Sequence, residues 1–297
     1  MKTVLISGGT GLMGGVLTKK LRNAGYQVRI LSRQKGEDHF YWNPEKNEID
    51  AAAFENLNAV IHLAGASIAK RWTPSFKKEL YSSRIDTSKL IFEQLQKTNT
   101  KIECFISASG VNYYGTETSR HIFREEDPNS NDFLGKLCAD WEAAAFDFEK
   151  SGARVSVLRT AVVLSADGGM IKKLIPAAKF NLVSALGSGN QIVPWIHIDD
   201  LANMYKWLIE NSKLSGAFNA SATQIVNSRE FSKAFVGAMG KKIILPNTPA
   251  FMLKLIFGEA ASIMLEGSAV SNKKIKDTGF RFQFDNLETA FKNLLDG

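Results

Sequence analysis

The chain has 297 residues, 44% of them hydrophobic and 23% charged, with a formal net charge of +7. This is an ordinary globular composition, long enough for one large domain or a main domain with a smaller lobe. The lysines fall in small groups (Lys172-Lys173, Lys241-Lys242, Lys273-Lys274-Lys276) with no long basic run, which gives no support for nucleic-acid binding and reads as a solvated basic face or, among partners, favours small anionic molecules.

Cys104 and Cys138 form no CxxC pair and have no histidine at metal-ligand spacing, so neither a disulfide framework nor a metal site is expected. The opening MKTVLISGG lacks the apolar core and cleavage site of a signal peptide. No stretch approaches about 18 uninterrupted apolar residues. A cytoplasmic protein without a membrane partner is the expectation.

In chain order, TVLISG reads as a first strand and MGGVLTKKLRNAG as a helix closed by Gly25. QVRILSR is a second strand, and NAVIHLAGA a later one, apolar throughout as a strand covered on both faces should be. A long helix is predicted over PSFKKELYSSRIDTSKLIFEQLQKT, then the strand KIECFISAS and an irregular loop to about Asn131. LCADWEAAAFDFEKSG reads as a helix and ARVSVLRTAVVL as a strand. After Leu164 the pattern changes: GGMIKKLIPAAKF looks helical, and GSGNQIVPWIHIDDLANMYKWLIE gives a strand or loop and then a helix. From about Ser221 the chain turns to helices and short strands, with Pro246 and Pro249, ending in the GF-x-F stretch of Gly279 to Phe282.

Alternating strands and helices imply βαβ units and a parallel sheet. The predicted fold is α/β, a doubly wound parallel sheet with a smaller C-terminal α+β lobe. Residues 1–165, with a return segment at about 187–220, are expected to form the main domain, of the kind in which doubly wound sheets bind dinucleotides. Residues 221–297, with about 166–186, are expected to form a smaller lobe that would face the substrate. Ligands of such sheets bind at the carboxyl ends of the strands.

LISGGTGLMGG spaces Gly8, Gly11 and Gly14 three apart between an apolar strand and an amphipathic helix. Free backbone N–H groups at such a helix start suit a pyrophosphate, although a tight turn alone also uses glycine. No Gly-Lys-Ser/Thr follows, which excludes a P-loop. The second strand ends in Ser32-Arg33, with no carboxylate before Glu37. A carboxylate there would bond the ribose 2′-hydroxyl of NAD, whereas a guanidinium pairs with the 2′-phosphate of NADP. NADP is the expected cofactor, the alternative being Arg33 as a plain surface residue.

These motifs resemble the extended branch of the short-chain dehydrogenase/reductase superfamily, through GGTGLMG at 8–14, HLAGA at 62–66, SASGVNYYG at 107–115 and WIHIDDLA at 195–202. RWTPSFKKELYSSRIDT at 71–87, LCADWEAAA at 137–145, GSGNQIVPWIHIDDLA at 187–202 and the terminal GF-x-F are similar to an epimerase-like subgroup with its own uncharacterised C-terminal domain. The resemblance spans nearly the whole chain. It implies a Rossmann fold, an NADP(H) cofactor and a C-terminal substrate lobe. By position, Thr10, Gly11, Leu12 and Met13, between Gly8 and Gly14, would supply the phosphate turn. Ser32 and Arg33 would hold the 2′-phosphate, and Leu63, Ala64 and Gly65 would line the adenine-ribose side. Glu79 and Arg84 would contact cofactor, or form a helical pair on the surface. The residues leave the oligomeric state open; helix-paired homodimers are common in such folds, by analogy alone.

Active members of the superfamily carry a Tyr-x-x-x-Lys pair, the lysine lowering the phenol's pKa so that the tyrosine acts as acid or base. Four residues after the six tyrosines stand Ile30, Glu45, Ile85, Glu117, Thr118 and Ile209; none is lysine. Anchoring on Glu142, by resemblance, puts Leu134 at the tyrosine position and Cys138 at the lysine position. Ser109 falls where the assisting hydroxyl belongs. Tyr113 and Tyr114 are the candidate replacement acids, with packing tyrosines as the alternative; Asn112 and Lys136 are further polar candidates. His197 with Asp199 and Asp200 reads either as a catalytic dyad or as a structural crossover. Trp72, Trp141 and Trp195 read as packing residues near the cleft. The implied function is an oxidoreductase or isomerase acting on an unidentified small molecule, or a non-catalytic NADP(H)-responsive binding protein.

Overall fold

Every residue of β1 (Thr3–Ser7) is buried, as a strand between two helical layers requires. The computed structural model describes residues 1–295; Asp296 and Gly297, the end of the predicted C-terminal lobe, lie outside the described residues. After β1 come α1 (Leu12–Asn23), β2 (Gln27–Ser32), β3 (His39–Asn43), β4 (Glu48–Ile49) and β5 (Ala59–His62). Then follow α2 (Pro74–Ser82), α3 (Ile85–Lys97), β6 (Cys104–Gly110), β7 (Ile122–Phe123) and α4 (Phe133–Phe146). β8 (Arg154–Thr160), β9 (Val162–Leu164), α5 (Gly169–Lys179), β10 (Trp195–His197), α6 (Ile198–Glu210) and β11 (Gly216–Ala220) come next. The chain closes with α7 (Ser228–Ala238), α8 (Ala250–Phe257), α9 (Ser262–Leu265), β12 (Ala269–Val270), α10 (Lys273–Asp277) and α11 (Leu287–Leu295).

The main sheet runs β11-β8-β6-β5-β1-β2-β3-β4, parallel at every pairing except β3 with β4. From β1 the chain winds outward to β3, then returns to β5 and winds the other way. This is the doubly wound Rossmann arrangement, with its switch point between β1 and β5. Alternation along β1 sends Val4 and Ile6 to a core shared with α1 and α6, and Leu5 to a core shared with α3. A third core gathers Leu164, Ile171, Trp195, Phe231, Phe235 and Phe291 away from the sheet, and a fourth joins Trp72, Leu80, Leu134 and Trp141. Among the described residues no helix is long and apolar enough to cross a membrane.

Several elements differ from the sequence reading. β3 and β4 were not among the predicted strands. The predicted single helix over 74–98 is broken at Ser83–Arg84, because Arg84 turns its guanidinium back to the carbonyls of Ala66 and Leu80 (2.8 and 3.1 Å). ARVSVLRTAVVL is two strands: Ala161 still donates to Ala220, but Val162 donates to Pro194 and carries β9 out of the sheet to pair with β10. α4 begins four residues before the predicted Leu137, where Asp132 caps the Gly135 N–H at 2.7 Å.

Candidate functional site

The glycine run lies at the switch point. Gly8 has φ +75° and passes so close to β5's end that a Cβ would stand 2.9 Å from Ala64 N and Leu63 C. A Cβ on Gly14 would stand 2.2 Å from the Gly8 carbonyl oxygen. Those two glycines are demanded by the protein's own backbone. Gly11 differs: its φ is −78°, it is exposed, and a Cβ there would meet only Gly8 O at 3.3 Å. The dihedral does not require glycine at that position and the one close contact asks only a few tenths of an ångström of relaxation, so the bare surface suits close approach from outside.

α1 has no side-chain cap and no acidic residue in its first turn. The first intrahelical bond is Gly15 N to Gly11 O, which leaves the N–H groups of Leu12, Met13 and Gly14 without a helical acceptor. The positive end of the helix therefore faces the groove unspent, and an anion fits it. Thr10 is exposed, and Met13 anchors the turn on the first core. Leu12 lies under the 165–169 loop, its Cδ2 only 2.7 Å from where a Gly168 Cβ would be. The sequence reading placed Gly168 at the start of a helix and gave it no part in the site; a second glycine pair just after a strand was the available signal.

At the end of β2, Ser32 is buried and its Oγ accepts from Gln34 N at 3.0 Å, which shapes the turn that follows. Arg33 is exposed and, among the described residues, pairs with no carboxylate. The nearest acids in sequence are Glu37, exposed, and Asp38, which is drawn off by Arg22 at 3.0 Å. A guanidinium thus stands free at the end of β2, and among the described residues it has no ion-pair partner to compete with a 2′-phosphate.

Opposite, Leu63 continues β5 by donating to Ser7 O, and Leu63 and Ala64 pack into the cores on either face. Gly65 is exposed and sits against Arg84, with 3.1 Å between its would-be Cβ and the guanidinium carbon. The structure brings Arg84 to this loop rather than to Glu79. Its guanidinium is buried, bonded to main-chain carbonyls and 5.0 Å from the Trp141 ring, and burial lowers its pKa. Glu79 is exposed on α2 and has no ion pair among the described residues. His62 completes the support: Nδ1 takes the Ser7 hydroxyl at 2.6 Å while Nε2 faces Arg84 O at 3.1 Å, which fits the neutral ring with its proton on Nε2. Full burial pushes its pKa down to about 4.

At the carboxyl ends of β6, β8 and β11 stands a polar network. Ser109 Oγ donates to Glu142 at 2.8 Å, and Glu142 holds Arg159 through Nε and Nη2, both at 2.9 Å. Arg159 Nη1 donates to the Tyr114 hydroxyl at 2.8 Å, and that hydroxyl donates to Asn219 Oδ1 at 2.8 Å. Burial alone would lower the Arg159 pKa, but Glu142 and Tyr114 raise it overall. Burial raises the Tyr114 pKa well above the phenol range, against the pull of Arg159. Ser109 and Tyr114 are therefore committed to neighbours. Tyr113 is half-buried, its ring stacked on the Arg159 guanidinium at 3.4 Å, and no group among the described residues bonds its hydroxyl.

Leu134 and Cys138 are buried on α4, and burial pushes the Cys138 thiol up to about 12, which leaves no thiolate at neutral pH. Lys136 is on the exposed side of the same helix. His197 caps α6 by accepting from Asp199 N at 3.1 Å and lies 3.9 Å from the Phe284 ring. Asp200 accepts from the N–H groups of Gln283 and Phe284 at 2.8 and 2.9 Å. WIHIDD is thus the structural crossover of the two sequence readings, docking the chain just past the GF-x-F stretch. Trp72 and Trp141 pack in the fourth core, and Trp195 is fully buried in the third. The sequence reading missed Arg159 and Asn219. The signal for Arg159 was available, since a charge inside the apolar run VSVLRTAVVL must find a buried partner.

The model of the NAD dependent epimerase/dehydratase family matches residues 4–221. The chain belongs to that family. A domain of unknown function (DUF1731) matches residues 248–294. The mouse epimerase family protein SDR39U1 is 33% identical over 297 residues, covering 98% of this chain and 99% of the relative. An epimerase family protein of Mycobacterium bovis is 35% identical over 291 residues, 97% of this chain and 95% of its own. The crystal structure of human SDR39U1 (isoform 2) with NADPH superposes with a TM-score of 0.89 at 30% identity, covering 99% of each chain. These matches agree with the epimerase-like resemblance read from the motifs and with the Rossmann fold.

Proposed function

We propose that this chain is a cytoplasmic NADP(H)-binding oxidoreductase or isomerase of epimerase-like type, acting on a small molecule. The observation that carries the reading is the free Arg33 at the end of β2, together with the uncapped α1 and the exposed Gly11. The NADPH in the human relative's structure supports it. Leu12, Met13 and Gly14 N–H groups would hold the pyrophosphate, Arg33 the 2′-phosphate, and Leu63 to Gly65 the adenine-ribose side. When bound, the nicotinamide supplies hydride transfer.

The residues of this chain do the rest. Arg84 and His62 fix the loop that carries Gly65. Glu142 and Arg159 hold the turn after β6 rigid, which leaves Tyr113 as the hydroxyl free to donate to a substrate oxygen. A second reading, a non-catalytic NADP(H)-responsive binding protein, is favoured by one observation. Leu134 and the Cys138 thiol stand at the positions the resemblance assigns to tyrosine and lysine, and neither can activate a proton.

Titration of the purified chain with NADPH and NADH tests the cofactor assignment. NADPH is expected to bind at least roughly tenfold tighter, and Arg33→Ala to remove that preference, a change of about 1.4 kcal/mol or more. Equal affinities, unchanged in Arg33→Ala, overturn the assignment.

A further inference from the structure

We propose that the face built from α8 and the two segments beside it docks on an anionic lipid bilayer. Residues 180–187 and 242–248 run side by side: Lys242 N donates to Asn181 Oδ1 at 3.3 Å, Thr248 N to Ala185 O at 2.8 Å and Gly187 N to Thr248 O at 2.9 Å. Pro249 then leads into α8, AFMLKLIF, in which Leu253 is the buried residue. Phe251 and Leu255, four apart, are 70% and 76% exposed, and Ile256 is 60% exposed. Phe180 and Ile244 on the adjoining segments are 74% and 68% exposed. Side chains this exposed project outward rather than line a groove. Five such side chains on α8 and the segments leading to it are more exposed apolar surface than soluble proteins ordinarily gather.

The charge around them selects the occupant. Residues 168–198 contain three lysines and residues 231–258 four, with no Asp or Glu in either segment. Lys179, Lys241, Lys242 and Lys254 are exposed, and among the described residues none lies within 4.0 Å of a carboxylate. A two-fold dimer through this face would set one lysine-bearing patch against an identical one and supply no acidic complement from these segments, since an isologous interface pairs a patch with itself. An apolar helix face flanked by lysines matches instead the acyl boundary and phosphate layer of an anionic membrane. The association is peripheral, in keeping with the lack of a membrane-spanning helix among the described residues. It departs from the expectation, read from the sequence, of no membrane partner.

The test is co-sedimentation of the full chain, with saturating NADPH, on vesicles of phosphatidylcholine containing phosphatidylglycerol and on vesicles of phosphatidylcholine alone. Binding is expected to the first, weakening as salt rises. The double variant Phe251→Ser/Leu255→Ser, and separately Lys241→Glu/Lys242→Glu/Lys254→Glu, should each lower the bound fraction by roughly tenfold or more. These side chains fill no core, so circular dichroism and NADPH affinity should stay unchanged. No binding to the anionic vesicles, equal binding to both kinds, or binding retained by both variants overturns the proposal. So does a concentration-dependent oligomer without vesicle binding, lost in Phe251→Ser/Leu255→Ser, which assigns the face to a second copy. Retention on immobilised polyglutamate without vesicle binding also overturns it, in favour of an acidic protein partner.

Discussion

Around α1 the N–H groups of Leu12, Met13 and Gly14 lack helical acceptors and Arg33 meets no carboxylate among the described residues, whereas around β6 and β8 Ser109, Glu142, Arg159, Tyr114 and Asn219 satisfy one another. Both regions lie at the carboxyl edge of the same sheet. One holds its polar groups ready for a ligand outside the protein; the other spends them on the fold. The difference teaches that an identical position in a doubly wound sheet can serve binding or structure, and that hydrogen-bond bookkeeping separates the two. It also places the tension in the functional reading: the cofactor half is open, while two of the three candidate catalytic hydroxyls are tied down.

The largest expected effect breaks the closed region. Glu142→Gln leaves the buried Arg159 uncompensated, and losing one partner of such a pair costs about 3–5 kcal/mol. Urea unfolding should show that loss, with NADPH affinity unchanged at a denaturant-free baseline. A variant as stable as the parent would mean that the network does not hold the turn.

Next comes pH. The folded pKa of His62 is lowered to about 4 from 6.5, so between those values the unfolded chain binds the extra proton. Stability therefore rises with pH in that window and is lost as pH falls from about 6.5 towards 4, by on the order of 3 kcal/mol in all. Thermal unfolding midpoints compared at pH 7 and pH 5 should show a steeper fall for the parent than for His62→Gln. Parallel slopes would show that His62 does not titrate with unfolding.

The smallest effect on the fold should come from Gly11→Ala, which sharpens the open region. Its Cβ meets only Gly8 O, at 3.3 Å, so stability should change by less than about 1 kcal/mol. NADPH affinity should fall by roughly tenfold or more, because the methyl occupies the surface a pyrophosphate approaches. Unchanged affinity measured by fluorescence titration would remove the phosphate from this turn.

Much of the fold was legible locally. The spacing of Gly8, Gly11 and Gly14, the apolar TVLIS run and the helix after it identify the β1–α1 turn because each signal lies within a few residues. The helix break at Ser83–Arg84 was not legible, since its cause is a guanidinium reaching Ala66, eighteen residues back in sequence. Nor was the exit of β9 from the sheet, which depends on Pro194 and β10, some thirty residues on. In the candidate site, the absence of Tyr-x-x-x-Lys could be read directly, but Ser109 and Tyr114 looked alike with Tyr113 until burial distinguished them.

By itself, then, the sequence determined the parallel α/β architecture, the glycine turn at its switch point and the lone arginine that ends β2. These rest on periodicity, short-range backbone geometry and the sign of one charge. The tertiary structure alone decided which hydroxyls are free, what Arg84 and His62 support, and that an apolar helix rimmed by lysines faces outward. Those outcomes depend on desolvation and on partners far apart in the chain, and neither quantity exists until the chain has folded.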